Sequence, residues 1–222
     1  GGDTTTGRQA ALTLSNPGDV PATVNIDMWG TTGPISSPLG QGVLVQPGSQ
    51  RVFSLAGLAP SEASPVIRIT SSGVGVVAAL HASIFRGLVA DGISVITGQP
   101  EPSVERVIPG VFLAPEDLIG PIKGKEGYVD VGGALRLLSP DNDASVSIRI
   151  LRSSGEDTTT RLQLVAGQVL DLTLDELGSG DVAVVVESSE PVVAAVRQSV
   201  GNDQVTDTSW VGSSYPLLGS AA

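Results

Sequence analysis

The stretch GSQRVFSLAGL (Gly48–Leu58) returns far downstream as GQVLDLTLDEL (Gly167–Leu177). Both open on Gly, and both place a bulky apolar residue sixth (Phe53, Leu172) and a hydroxyl seventh (Ser54, Thr173). Leucines follow at the eighth and last places (Leu55 and Leu58; Leu174 and Leu177). The offset, 167 − 48, is 119 residues, and 177 − 58 gives the same value. A true repeat must recur along the rest of the chain.

It does. LTLSNPGDVPATVNIDM (Leu12–Met28) resembles LRLLSPDNDASVSIRI (Leu135–Ile150), and TSSGVGVVAALHAS (Thr70–Ser83) resembles ESSEPVVAAVRQS (Glu187–Ser199). Further on, Asp91, Ser94 and Gly98 resemble Asp207, Ser209 and Gly212. The offset shortens along the chain, from 144 − 22 to 212 − 98, and the changes fall in turn-rich stretches, where insertions are tolerated. Each copy reads as about seven short strands separated by turn signals such as NPGD (Asn16–Asp19) and QPGS (Gln46–Ser49). In the first copy these are expected near 11–14, 23–29, 42–45, 50–55, 66–70, 76–84 and 92–97. Period-two alternation in VIRIT turns Ile67 and Ile69 inward and Arg68 outward.

These patterns predict an all-β fold: two tandem immunoglobulin-like antiparallel β-sandwich modules related by internal duplication. A closed barrel is the competing architecture. The first module spans residues 1–102 and the second 103–222, with 103–127 expected as a linker or capping segment; within it RVIPGVFL (Arg106–Leu113) is apolar enough for a strand. Pro and Glu near 100–103 mark the boundary. The ends GGDTTTG and SSYPLLGSAA read as cut edges of a longer protein, from which a signal or anchor is missing.

Composition agrees. Of 222 residues, 41% are hydrophobic but only 3% aromatic, so the cores are built from Val, Leu, Ile and Ala. The net charge of −11 argues against nucleic acid and against docking on anionic lipid through a basic patch. Cysteine is absent, which removes disulfides, thiol catalysis and Cys-ligated zinc. No apolar run is long enough to span a bilayer, so no direct membrane insertion is expected of this chain.

The motifs LSNPGDVPATV, VQPGSQRVFSLAGLAP and SSGVGVVAA, with their second-copy counterparts, resemble an uncharacterised family of secreted or envelope-associated actinobacterial proteins catalogued only as a domain of unknown function. The resemblance covers most of the chain. It implies an extracytoplasmic setting, secreted or anchored through a segment outside this chain, and brings no catalytic residues.

Chemistry-bearing constellations are sparse. His81 is the only histidine, and Arg197 takes its place in the second copy. No Ser stands in a Gly-x-Ser-x-Gly elbow. The acids available for paired carboxylate chemistry are Asp27, Asp91, Asp171, Asp175, Glu176 and Asp207. Asp91 and Asp207 occupy matching places before a last strand, where capping of their own turns explains them. SPDND (Ser139–Asp143) and GED (Gly155–Asp157) lack the alternating ligand pattern of a calcium loop and read as Asx-rich turns. Trp29 matches Leu151 and Trp210 matches Val95, so no aromatic platform is duplicated; both tryptophans are expected to be partly buried.

The sequence therefore points to a non-enzymatic, extracytoplasmic protein with a structural or partner-binding role in the cell envelope, without cofactor or metal. Its partner would be an envelope protein or a glycan. A carbohydrate-binding module is the first alternative and a carboxylate-dependent hydrolase the second. Trp29, Trp210, Asp91 and Asp207 are the candidate ligand contacts.

Overall fold

The computed structural model describes residues 1–201 and 206–215. The chain is all-β, with antiparallel sheets and helix confined to single turns such as α1 (Leu55–Leu58) and α2 (Glu116–Ile119). The first half holds β1 (Arg8–Ser15), β2 (Ala22–Gly30), β3 (Gly33–Ile35), β4 (Val43–Val45), β5 (Gln50–Ser54), β6 (Val66–Ser72), β7 (Val77–Arg86) and β8 (Val89–Thr97). One sheet runs β5-β1-β7-β8; in the other, β2 pairs with β6, β3 and β4. Alternation along the strands sends Leu12 and Leu14 of β1, Val24, Ile26 and Met28 of β2, and Leu80 of β7 into one core. Leu55, at the start of α1, is fully buried in it, while Ser54 beside it is exposed.

The second half holds β9 (Ser103–Leu113), β10 (Ala134–Leu138), β11 (Ala144–Arg152), β12 (Thr158–Leu164), β13 (Val169–Thr173), β14 (Gly180–Gly201) and β15 (Thr206–Gly212). The C-terminal part of β14 lies in the order β13-β10-β14-β15, and its N-terminal part pairs with β11 and β9. This one long strand runs where the first half uses β6 and β7, separated at Gly73 with φ +90°. The register against β9 shifts between Glu187 and Val192, around Pro191, whose missing N–H breaks the ladder.

The pairing registers of the two halves correspond. Leu12 stands opposite Phe53 and Leu80, and Leu135 opposite Leu172 and Val196. Ile26 faces Ile69 as Ile148 faces Val186, and Leu80 faces Ile96 as Val196 faces Val211. The turns before β5 and β13 match too. Gly48 (φ +61°) and Gly167 (φ +71°) take the left-handed conformation, closed by Ser49 N–H to Gln46 O and Gln168 N–H to Val165 O, both 3.1 Å. Leu174, like Leu55, is fully buried.

One short strand, β3, is additional to the expected elements, and the segment 103–127 divides between a strand and a cap. Pro34 lies within β3, tolerated because β3 is an edge strand. The segment 103–127 is no simple linker, because Ser103–Leu113 forms β9 on the flank of β14 and supplies Ile108, Val111 and Leu113 to the second core. An apolar run beside an unpaired strand edge satisfies both its side chains and its backbone by joining the sheet. Only the part beyond it caps: Ile119, Ile122 and Val131 form a small cluster of their own. Arg106, fully buried, holds the chain entry by donating to Val192 O (3.2 Å) and Pro100 O (3.3 Å).

Most of the outward face of the β13-β10-β14-β15 sheet is shielded from water. It is covered by the first half, through an apolar cluster of Trp29 and Val66 against Leu138, Val169 and Val193.

Candidate functional site

The ionisable groups of interest meet at this joint between the halves. β10 reads ALRLL and is buried at every position, so Arg136 sits on a strand with no solvent face. All five of its N–H donors are used: two reach Asp171 of β13 (2.8 Å each) and three reach the carbonyls of Gly2 (2.9 Å), Pro65 (3.2 Å) and Ala63 (3.2 Å) in the first half. Ser64 donates to the same Asp171 at 2.8 Å. Burial works to raise the Asp171 carboxyl, but hydrogen bonds and charge from Arg136, with Ser64, outweigh it and hold the group below the usual carboxylate range.

A second network lies beside the first. Asp130, with its side chain 5% exposed, receives Arg8 Nη2 at 2.7 Å and Arg86 Nη1 at 3.0 Å. Arg86 also donates Nε to Asp91 at 2.6 Å, and its guanidinium stands 4.0 Å from the centre of the Tyr128 ring. Asp91 in turn accepts the Thr206 N–H at 2.7 Å and the Thr206 hydroxyl. Burial again opposes ionisation of Asp91, while Thr206 and Arg86 prevail and lower its pKa.

The four candidate contacts therefore have different fates. Asp91 binds across the joint rather than capping its own turn, because the bulge between Ser83 and Phe85 turns it inward. Asp207 is exposed and accepts the Thr208 N–H at 2.9 Å. The two aspartates match in sequence position but not in surroundings. Trp29 is 8% exposed in the apolar cluster of the joint, with Arg68 5.0 Å from its ring. Trp210 is half-buried, with Arg136 4.7 Å from its ring. His81 is exposed on β7, between Ala11 and Val95 by register.

Between the halves lies a cavity of about 40 Å³, lined by Arg8, Ala82, Ile84, Arg197, Thr208 and Trp210 among others. Arg197 Nε and Thr208 Oγ1 are buried there without a hydrogen-bond partner. Burial and the nearby Arg136 charge lower the Arg197 pKa. The space suits ordered water that these two groups can bond. Among the described residues no group of three or more His, Asp or Glu is placed to hold a metal ion, and no helix is long and apolar enough to cross a membrane.

Reasoning from sequence missed Arg8, Arg86, Asp130 and Arg136, because it sought acids paired with acids. The signal was present in ALRLL, an arginine inside an apolar strand without polar alternation, which marks a strand buried on both faces.

Among solved structures, the chain is similar to the crystal structure of Thermotoga maritima 1070, at 18% identity, with a TM-score of 0.43, over 51% of this chain and 95% of that one. It is also similar to the Anabaena sensory rhodopsin transducer, at 20% identity, with a TM-score of 0.33, over 45% of this chain and 91% of that one. No curated protein matches the sequence. A family described as a family of unknown function, DUF5719, matches residues 1–222 without interruption, and the chain belongs to that family.

Proposed function

We propose that the chain is a non-enzymatic, extracytoplasmic binding or structural unit, built from two immunoglobulin-like sandwich modules that arose by internal duplication. The matching registers support the duplication. The observation that carries the functional reading is that the carboxylates of the candidate site are satisfied by groups of the same chain. Asp130 is taken up by Arg8 and Arg86 across the joint, while Asp91 and Asp171 are each held by an arginine of their own half and reached across the joint by Thr206 and Ser64, so all three bind the halves to each other instead of facing a substrate cleft. A joint with an apolar cluster and two ionic networks fixes the relative orientation of the two sandwiches and presents their outer surfaces as one rigid body. The envelope setting, with an envelope protein or glycan as partner, rests on the resemblance of the strand-and-turn motifs.

The test is turnover of a panel of glycans and esters by the parent and by Asp91→Asn, Asp171→Asn and His81→Ala. The expected result is no turnover, with the aspartate changes lowering stability. Turnover by the parent, abolished by one substitution at unchanged melting temperature, would overturn the reading.

A further inference from the structure

Among the described residues four buried side-chain polar atoms have no hydrogen-bond partner, and three of them belong to residues lining one cavity. They are Arg8 Nε, Arg197 Nε and Thr208 Oγ1, and the cavity is the one of about 40 Å³ between the halves. The strands bring them together from two sides. Arg8 opens β1 opposite Ile84 of β7, on the face that continues into Leu12 and Leu14 of the first core. Arg197 of β14 stands opposite Trp210 of β15, and Thr208 lies two residues before Trp210, on the same face of the second sheet.

Buried polar groups are nearly always paired, so three orphans at one place call for an explanation. The Arg8 side chain and Thr208 are each 6% exposed, so bulk solvent does not answer them. All three atoms can donate, and the two guanidinium nitrogens can do nothing else. Arg8 spends its terminal nitrogens on Gly7 O, Gly127 O and Asp130, which leaves Nε over. Two carboxylates also line the cavity, and both are engaged. Asp130 receives Arg8 and Arg86, and Asp3 Oδ1 accepts the Thr5 N–H and hydroxyl at 2.7 Å each, with Oδ2 standing 3.9 Å from Arg8 Nε. Arg197 is placed differently. Arg136 has Asp171, Arg86 has Asp91 and Arg8 has Asp130, whereas Asp171, Asp130 and Asp3 act on Arg197 only through their charge, from a distance.

We propose that this cavity is a binding site for one compact monovalent anion of halide size, held by Arg8 Nε, Arg197 Nε and the Thr208 hydroxyl. Ordered water fits the same space and can accept these hydrogen bonds, but water is neutral and leaves the Arg197 guanidinium without a counterion. Apolar groups such as Ala82 and Ile84 make up much of the remaining wall, and there a single charge is cheaper to desolvate than the double charge of sulfate. The bound ion touches Arg8 from the first half and Arg197 and Thr208 from the second, so it adds a further tie across the joint. The site stands apart from the binding role proposed above and does not depend on it.

Thermal unfolding at fixed ionic strength tests it, with sodium chloride replacing sodium gluconate, whose anion is too large for the cavity. Across that exchange the unfolding equilibrium constant of the parent should fall at least about fivefold further than that of Arg197→Met, as one ion at about four times its dissociation constant requires. Without chloride, Arg197→Met should be close to the parent in stability, because its cation then has no partner. Thr208→Val keeps the shape and removes the hydroxyl; it should weaken the chloride response, and it decides the matter if Arg197→Met does not fold. Arg161→Met removes the same charge from the exposed face of β12 and should keep the full response. Crystals grown in bromide should place the anomalous signal of that ion between the three donors. A chloride response equal in the parent and Arg197→Met overturns the proposal and leaves the cavity to water, and so does a response that Arg161→Met also loses. A bromide signal without a chloride response in solution is an adventitious ion only, and overturns it too. None of these results bears on the turnover test, so the two readings fail separately.

Discussion

Replacing Arg136 tests the joint most directly. Its guanidinium makes five hydrogen bonds, two within the second half to Asp171 and three to first-half carbonyls, and its side chain is 2% exposed. Arg136→Ala leaves Asp171 without its cation and three carbonyls without donors. Removing one partner of a buried pair costs about 3–5 kcal/mol. The Asp171 side chain is 25% exposed and can regain water, which places the expected loss toward the lower end. Arg136→Lys keeps the charge but supplies three donors for five acceptors, so it should cost about 1–3 kcal/mol through the acceptors it abandons. Urea unfolding followed by tryptophan fluorescence suits the question, because Trp210 lies against Arg136 and Trp29 sits in the neighbouring apolar cluster. If the joint couples the halves, the alanine variant should also lose the single transition, and its apparent m-value should fall as the halves begin to unfold separately. An Arg136→Ala protein within about 0.5 kcal/mol of the parent, the range of an ordinary surface change, with an unaltered single transition would refute the reasoning.

Acid should loosen the same joint. Asp91 and Asp171 have folded pKa values below the ordinary carboxylate range, so the unfolded chain binds their protons first. Their contribution is complete above the unfolded value of about 4 and is lost as pH falls through the lower folded values. Melting temperature should therefore drop below about pH 4 in the parent and less steeply in Asp171→Asn, and parallel slopes would contradict the assignment. Arg197 is the reverse case, a buried cation whose Nε has no partner, so Arg197→Met should cost no more than about 0.5 kcal/mol in thermal unfolding, and a loss beyond that would show that the cation is paired in solution.

Most of the strands, and their succession along the chain, were legible in the sequence. Apolar alternation, Pro-Gly and Asx turns and the recurring Gly48 and Gly167 patterns are local signals, fixed by backbone sterics and by which side of a strand must leave water. That logic placed Leu55 and Leu174 and made the all-β class legible. What it did not reach was how the halves meet. Arg8, Arg86 and Asp130 come from segments more than forty residues apart, and each alone reads as a surface charge. Only when one sheet's outward face is laid against the first half does burial force these charges to find one another, because an unpaired charge away from water is far costlier than a paired one. The same docking decided that Asp91 meets Arg86 and Thr206 while Asp207 stays in solvent.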